Sequence, residues 1–235
     1  MDEAIIKKLE PVLDRFQEAH FWIHMLEQYY HNANPFRWYL SAYLKSIKEA
    51  PKLLQLGLQN QTGFSEWFSP KLAQLNRDPL INDLSKRRDH VVHKGMLLPS
   101  SSGFIGITEG RGLKLGIGIP IDPRTDSDEA MRYYLLLCAS EGDPLQILSP
   151  DEDSVPCVER EWRLPQFEGD IVDVCATAWV RVGELITATL TWLGEDPPPL
   201  SLECRHASQE VRIKTYDRNQ LMQQLADISS ESRLA

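Results

Sequence analysis

Positions 86–94 read Lys-Arg-Arg-Asp-His-Val-Val-His-Lys, and they hold the side chains of this chain best suited to chemistry on a phosphate. Arg88 offers a guanidinium that stays charged at any physiological pH and matches the shape of a phosphate or carboxylate. His93 offers an imidazole able to move a proton near neutrality. Asp89 precedes His93 by four residues, the spacing at which a carboxylate on a helix can orient an imidazole and raise its pKa. Lys86, Arg87 and Lys94 surround them with positive charge. Arg88 and His93 are five apart, so on a regular helix they point about 140° from each other. A site using both needs the reach of Arg88, a frayed last turn, or residues from two copies of the chain. The plainer alternative is that Arg88 pairs with an internal carboxylate and His93 merely favours the negative end of its helix.

The element carrying these residues is a predicted helix over about Pro79 to Lys94, opened by the Asp78-Pro79 cap-and-proline signal and closed by Gly95. Ile81, Leu84, Val91 and Val92 define its buried stripe, and Arg88 falls inside that stripe. Three more helices precede it. Ile5, Leu9, Val12, Phe16, Ala19, Ile23, Leu26 and Tyr30 form one unbroken helical face. Asn34-Pro35 caps a second helix through Phe36, Tyr39, Leu40, Tyr43, Leu44 and Ile47, expected to kink at Pro51. A shorter third helix is predicted across Ser65 to Leu75. Short connections between four such helices make an up-and-down bundle the natural packing.

After Pro99 the texture changes. Ser100 to Gly103 reads as a linker, and Phe104 to Ile121 as a hairpin around Gly110-Arg111-Gly112. Arg132 to Ala139 is open between strand and short helix, while Leu145 to Leu148 and Cys157 to Leu164 are candidate strands. Helical spacing returns with Ile171, Val174, Ala178, Val182, Leu185, Leu190 and Leu193, predicting a last bundle helix that packs back onto the first four. The tail after Pro197-Pro198-Pro199 is expected to hold one or two short strands between Leu200 and Tyr216, then a polar, frayed end. The expected class is α+β, with a helical bundle over 1–99, a β-rich insertion over 100–165, the final bundle helix over 166–195 and a tail over 196–235.

Composition narrows the function classes. The net charge of −9 argues against broad nucleic-acid binding, but it is uneven: residues 1–100 carry 13 Lys and Arg against 11 Asp and Glu, leaving 12 against 23 for the rest. The basic spot at Lys86, Arg87, Arg88 and Lys94 lies in the less acidic part. No apolar run approaches the roughly 20 residues of a membrane helix, so no membrane partner and a cytoplasmic location are expected. Cys138, Cys157, Cys175 and Cys204 are scattered without a C-x-x-C pair, which reads as reduced structural thiols. His20 and His24 have the H-x-x-x-H spacing of a helical metal site, with His31 further on. No acidic residue follows His20, and Phe21, Trp22 and Tyr29 suggest an aromatic packing face, so no metal or cofactor is expected.

Arg88-Asp89 followed by His93 resembles the R-x4-6-H signature of the HEPN domains of prokaryotic defence and toxin-antitoxin systems. Supporting features are the long first helix, the aromatic Phe36-Arg37-Trp38-Tyr39 stretch, Gly63-Phe64 before Trp67-Phe68, and Gly95 just after the histidine. The resemblance covers about Glu10 to Gly95, with Phe104 to Leu164 as an elaboration. It implies an HEPN-like antiparallel bundle and a metal-independent endoribonuclease acting on single-stranded RNA, as a homodimer that joins two motifs in one cleft. His93 would then be the general acid or base at the ribose 2′-hydroxyl, Arg88 would stabilise the phosphate, and Asp89 would hold either of them. Lys86, Arg87 and Lys94 would contact the RNA backbone. An antitoxin or regulatory protein is an implied partner. The alternative expectation is a non-catalytic interaction module that dimerises through the bundle and binds a protein partner.

Overall fold

A computed structural model describes residues 3–110, 112–149, 154–194, 202–204 and 208–231. The architecture is α+β, as the patterning predicts. By contacts the chain divides into two compact units: 1–28, 37–97 and 171–206 form a helical unit, and 29–36, 98–170 and 207–235 form a β-rich unit.

The helical unit holds α1 (Glu3–Gln28), most of α2 (Ala33–Leu58), α3 (Phe64–Arg77), α4 (Pro79–His93) and α6 (Ile171–Trp192). The predicted face of α1 from Leu9 to Leu26 is buried throughout. Helix α6 is the element the others share. Trp179 stacks on Phe16 of α1 at 4.7 Å, its indole N–H donating to the Phe16 carbonyl. Tyr43 of α2 donates to the Cys175 carbonyl at 2.6 Å. Trp192 packs against Phe64 and Trp67 of α3. Arg181 pairs with Asp78, the residue that caps α4. The expectation that this helix returns to the bundle is met, because its apolar residues are buried on several sides rather than along one stripe.

Two local expectations change. α2 begins at Ala33 instead of Pro35, because the Asp126 carboxylate accepts the Ala33 N–H at 2.5 Å and satisfies a first-turn donor. It also runs as one helix through Pro51 to Leu58. The stripe predicted for α4 is shorter than expected: Leu80 and Leu84 are buried, but Val92 is 45% exposed, since the last turn of α4 emerges into solvent.

The β-rich unit is a four-stranded antiparallel sheet in the order β2-β1-β3-β4, from β1 (Ser100–Glu109), β2 (Gly112–Pro120), β3 (Ser154–Arg163) and β4 (Ile213–Thr215). α5 (Ser127–Glu141) and α8 (Arg218–Glu231) pack together beside it, and the short α7 (Ser208–Val211) precedes β4. The predicted hairpin is present, with Gly110 at φ 61° in its turn. Ser100 to Gly103, predicted as linker, is strand, because β3 pairs with it from Arg160 to Arg163. Arg132 to Ala139 is helical, opened where Glu129 accepts the Asp126 N–H at 3.0 Å. Leu145 to Leu148 is not a strand; its N–H groups go to the Tyr134 hydroxyl and the Asp143 carboxylate. The polar end is the helix α8, whose Leu221, Leu225 and Ile228 join the core with Ile105, Ile107, Met131 and Leu135. The parts of the predicted tail strands at 200–201 and 205–207 lie outside the described residues.

Candidate functional site

Helix α4 is set by Asp78, whose carboxylate accepts the N–H groups of Leu80 at 2.9 Å and Ile81 at 3.2 Å. With Pro79 at the first helical position this fixes the rotation of the helix, so Leu84 and Arg88 face α2 and α3. There they border a cavity of about 490 Å3 in the helical unit. Leu44, Ile47, Pro51, Leu72, Ile81 and Leu84 give it an apolar wall. Arg15, Lys48, Lys52 and Arg88 supply cations, against one acid, Glu49.

Arg88 is the unusual member. Its Nη1 donates to Asp89 at 3.2 Å, while its Nε is buried and has no hydrogen-bond partner. Unpaired buried donors of this kind are uncommon, and a charged one is costly. Asp89 is claimed chiefly by α2, since Lys48 donates to the same carboxylate oxygen at 2.6 Å. The Lys48 hydrogen bond, with Arg88 second, holds the Asp89 carboxyl below the usual carboxylate range.

Of the residues singled out by the sequence, the fold therefore brings together Arg88 and Asp89 and adds Lys48. It does not bring His93 to them within one chain. His93 is exposed on the last turn and makes no hydrogen bond or ion pair among the described residues. The pairing of Asp89 with His93 does not form, because Lys48 of α2 occupies the carboxylate instead. Lys86 and Lys94 are exposed, and Arg87 is turned to Asp83 at 2.5 Å. Sequence reasoning missed Lys48 and Lys52; their signal, lysines flanking an apolar stripe of α2, is too common to single them out.

A larger cavity, about 680 Å3, lies in the β-rich unit beside Asp128, Arg132, Lys214 and Gln220. Two of its charges are engaged with each other, Asp128 accepting from Lys214 at 2.5 Å, and Asp128 also accepts from Tyr216 at 3.0 Å. The Arg88 cavity, lined by four cations against one acid over an apolar wall, is the better candidate.

A family model described as bacteriophage lambda protein ea47 matches residues 8–220. The chain belongs to that Ea47 family. No curated protein and no solved structure matches it. This corrects the resemblance to HEPN domains: the matching family spans both units, including the β-rich region that the HEPN reading treated as an elaboration, and no HEPN model matches. An arginine and a histidine at loose spacing on one helix are too short a signature to carry a family. Among the described residues of this Ea47-family chain, no helix is long and apolar enough to cross a membrane.

Proposed function

We propose that this Ea47-family chain is a non-catalytic binding module whose helical unit takes a small organic anion with an apolar body into the Arg88 cavity. The observation that carries the reading is the Arg88 side chain on the wall of a cavity with a large apolar surface, its guanidinium holding a buried Nε that has no hydrogen-bond partner. A carboxylate or phosphate head group pairs with the Arg88 guanidinium, with Lys48 and Lys52 adding positive potential at the rim. The body of the ligand packs against Leu44, Ile47, Leu72 and Leu84. A volume of about 490 Å3 falls within the range of roughly 300 to 1,000 Å3 that small ligands occupy. The cationic rim stands out on a chain of net charge −9, which disfavours anions elsewhere on its surface.

Calorimetric titration of the full chain with decanoate, and with decanol as its uncharged analogue, tests this. Decanoate should bind, with decanol and the Arg88→Met variant each weaker by about tenfold or more. Equal binding of the two probes, or an Arg88→Met variant that keeps full affinity, sinks the reading. A second proposal, cleavage of single-stranded RNA, is favoured by the exposed His93 beside exposed Lys94 and His90. Labelled RNA incubated in EDTA decides it: cleavage lost in Arg88→Ala and His93→Ala would make the chain a nuclease, and no cleavage by the wild type removes that proposal.

A further inference from the structure

His20 and His24 lie one turn apart on α1, and their rings turn the same kind of nitrogen toward each other, Nε2 to Nε2 at 3.3 Å. The Cys204 thiol reaches the same spot from the segment after α6, so that the three potential ligand atoms all lie within 4.8 Å of one another. Each of the three residues is half-buried. Two imidazole nitrogens at about 2.05 Å from a tetrahedral zinc ion stand about 3.3 Å apart. The observed histidine separation already has that value. A thiolate sulfur on the same ion stands about 3.6 Å from each nitrogen, so a shift of about 1 Å by Cys204 completes the set.

The surroundings orient both rings toward the site. Nδ1 of His24 lies 2.7 Å from the Glu27 carboxylate, whose side chain is only 12% exposed. That hydrogen bond keeps the proton on Nδ1 and leaves the Nε2 lone pair facing His20, the carboxylate-histidine arrangement that orients metal-binding imidazoles. His20 is fixed by stacking on Trp179 of α6, ring centroids 4.5 Å apart. The 202–204 segment is anchored beside them, since a Cβ built at Gly183 of α6 would meet the Leu202 side chain. The aromatic packing expected around His20 is therefore present, and it is what positions the ring.

We propose that His20, His24 and Cys204 form a three-ligand site for a zinc ion, with Glu27 positioning His24 and the fourth coordination position open to water or a ligand. Two borderline nitrogens and one soft sulfur suit zinc better than magnesium or calcium, which take oxygen ligands. The bound ion ties Cys204 to α1. Metal binding displaces the proton of the Cys204 thiol.

The test uses the full chain stripped with a chelator, dialysed and loaded with one equivalent of Co2+ as the spectroscopic probe for zinc. A tetrahedral cobalt spectrum with a thiolate-to-cobalt charge-transfer band is expected, and Zn2+ should bleach it stoichiometrically. Cys204→Ser should remove the charge-transfer band while circular dichroism shows the fold retained. His24→Gln should weaken Zn2+ binding, read by competition with a chromogenic chelator, by about tenfold or more, and Glu27→Gln by about tenfold. The His90→Ala/His93→Ala double variant should bind as the wild type does. An octahedral spectrum, a Cys204→Ser spectrum identical to wild type, or loss of binding only in the His90/His93 variant each overturns the assignment.

Discussion

Two arginines, one in each unit, show what a buried guanidinium means in this molecule. Arg160 of β3 is fully buried in the β-rich unit, and each of its three nitrogens donates: Nε to the Ser101 hydroxyl at 3.0 Å, Nη1 to the Thr125 carbonyl at 2.8 Å, and Nη2 to the Asp122 carbonyl at 3.4 Å. Its plane lies over the Trp162 ring at 3.8 Å. Arg88 of α4 is half-buried in the helical unit with an unpaired Nε facing no protein acceptor. The first is a structural bolt, and the second is a donor held in reserve. Both look alike in the sequence, a positive charge among apolar neighbours, and only the inventory of acceptors separates them.

The sharpest way to break the comparison is Arg160→Met. Losing Arg160 removes the partner of the half-buried Thr125 carbonyl and Ser101 hydroxyl, while the exposed Asp122 carbonyl keeps the Thr125 N–H. We expect a loss of about 3 to 4 kcal/mol in urea unfolding, from three lost hydrogen bonds of a buried guanidinium at about 1 kcal/mol or more each. A loss below about 1 kcal/mol would mean that the guanidinium contributes little and that the contrast with Arg88 is empty.

Acidification should come next in size, and it reads the same unit. His31 accepts from Ser127 at Nδ1 and donates from Nε2 to the Val211 carbonyl, both at 2.8 Å. Burial lowers its pKa from 6.5 to about 4. Between those two values the unfolded chain binds a proton that the folded chain refuses, so stability is greatest above 6.5 and falls as the pH drops toward 4. The loss should be about 2 to 3 kcal/mol across that window, and His31→Gln should flatten the profile. An unchanged slope in His31→Gln would assign the acid sensitivity elsewhere.

How legible these features were depends on whether their partners lie nearby in sequence. The helices of the bundle announce themselves through periodicity, since an amphipathic stripe is a local property, and Asp78-Pro79 declares the start of α4 without tertiary help. Ser100 to Gly103 hid its strand because the pairing partner, β3, lies some sixty residues away. α8 hid as a polar tail because its buried residues Leu221, Leu225 and Ile228 are few among many glutamines and serines. At the candidate site, Arg88 was visible as a charge inside an apolar stripe. The capture of Asp89 by Lys48, and the approach of Cys204 to His20 and His24, are non-local and left no trace in spacing.

A smaller effect separates the placement of α4 from the cavity it borders. Asp78→Ala removes the acceptor for the Leu80 and Ile81 N–H groups and frees Arg181. We expect a loss of about 1 to 2 kcal/mol in urea unfolding, the usual value of a helix cap. Decanoate binding should weaken as well, because Arg88 then loses its fixed bearing. A cap variant that loses stability but binds normally would show that the cavity does not depend on the start of α4.

The smallest stability effect should come from Arg88→Met, and it is the one that decides what Arg88 is for. Methionine keeps much of the apolar length of arginine and brings no donor, so the buried unpaired Nε disappears along with its cost. The contact with Asp89 is half-exposed and Lys48 remains on that carboxylate, so little is lost there. The urea midpoint should stay within about 1 kcal/mol of wild type or rise slightly. If Arg88→Met instead unfolds as readily as Arg160→Met, the guanidinium is as structural as its counterpart, and the cavity loses its claim to a ligand. A neutral or stabilising substitution that abolishes decanoate binding is the signature of a residue retained for what it binds.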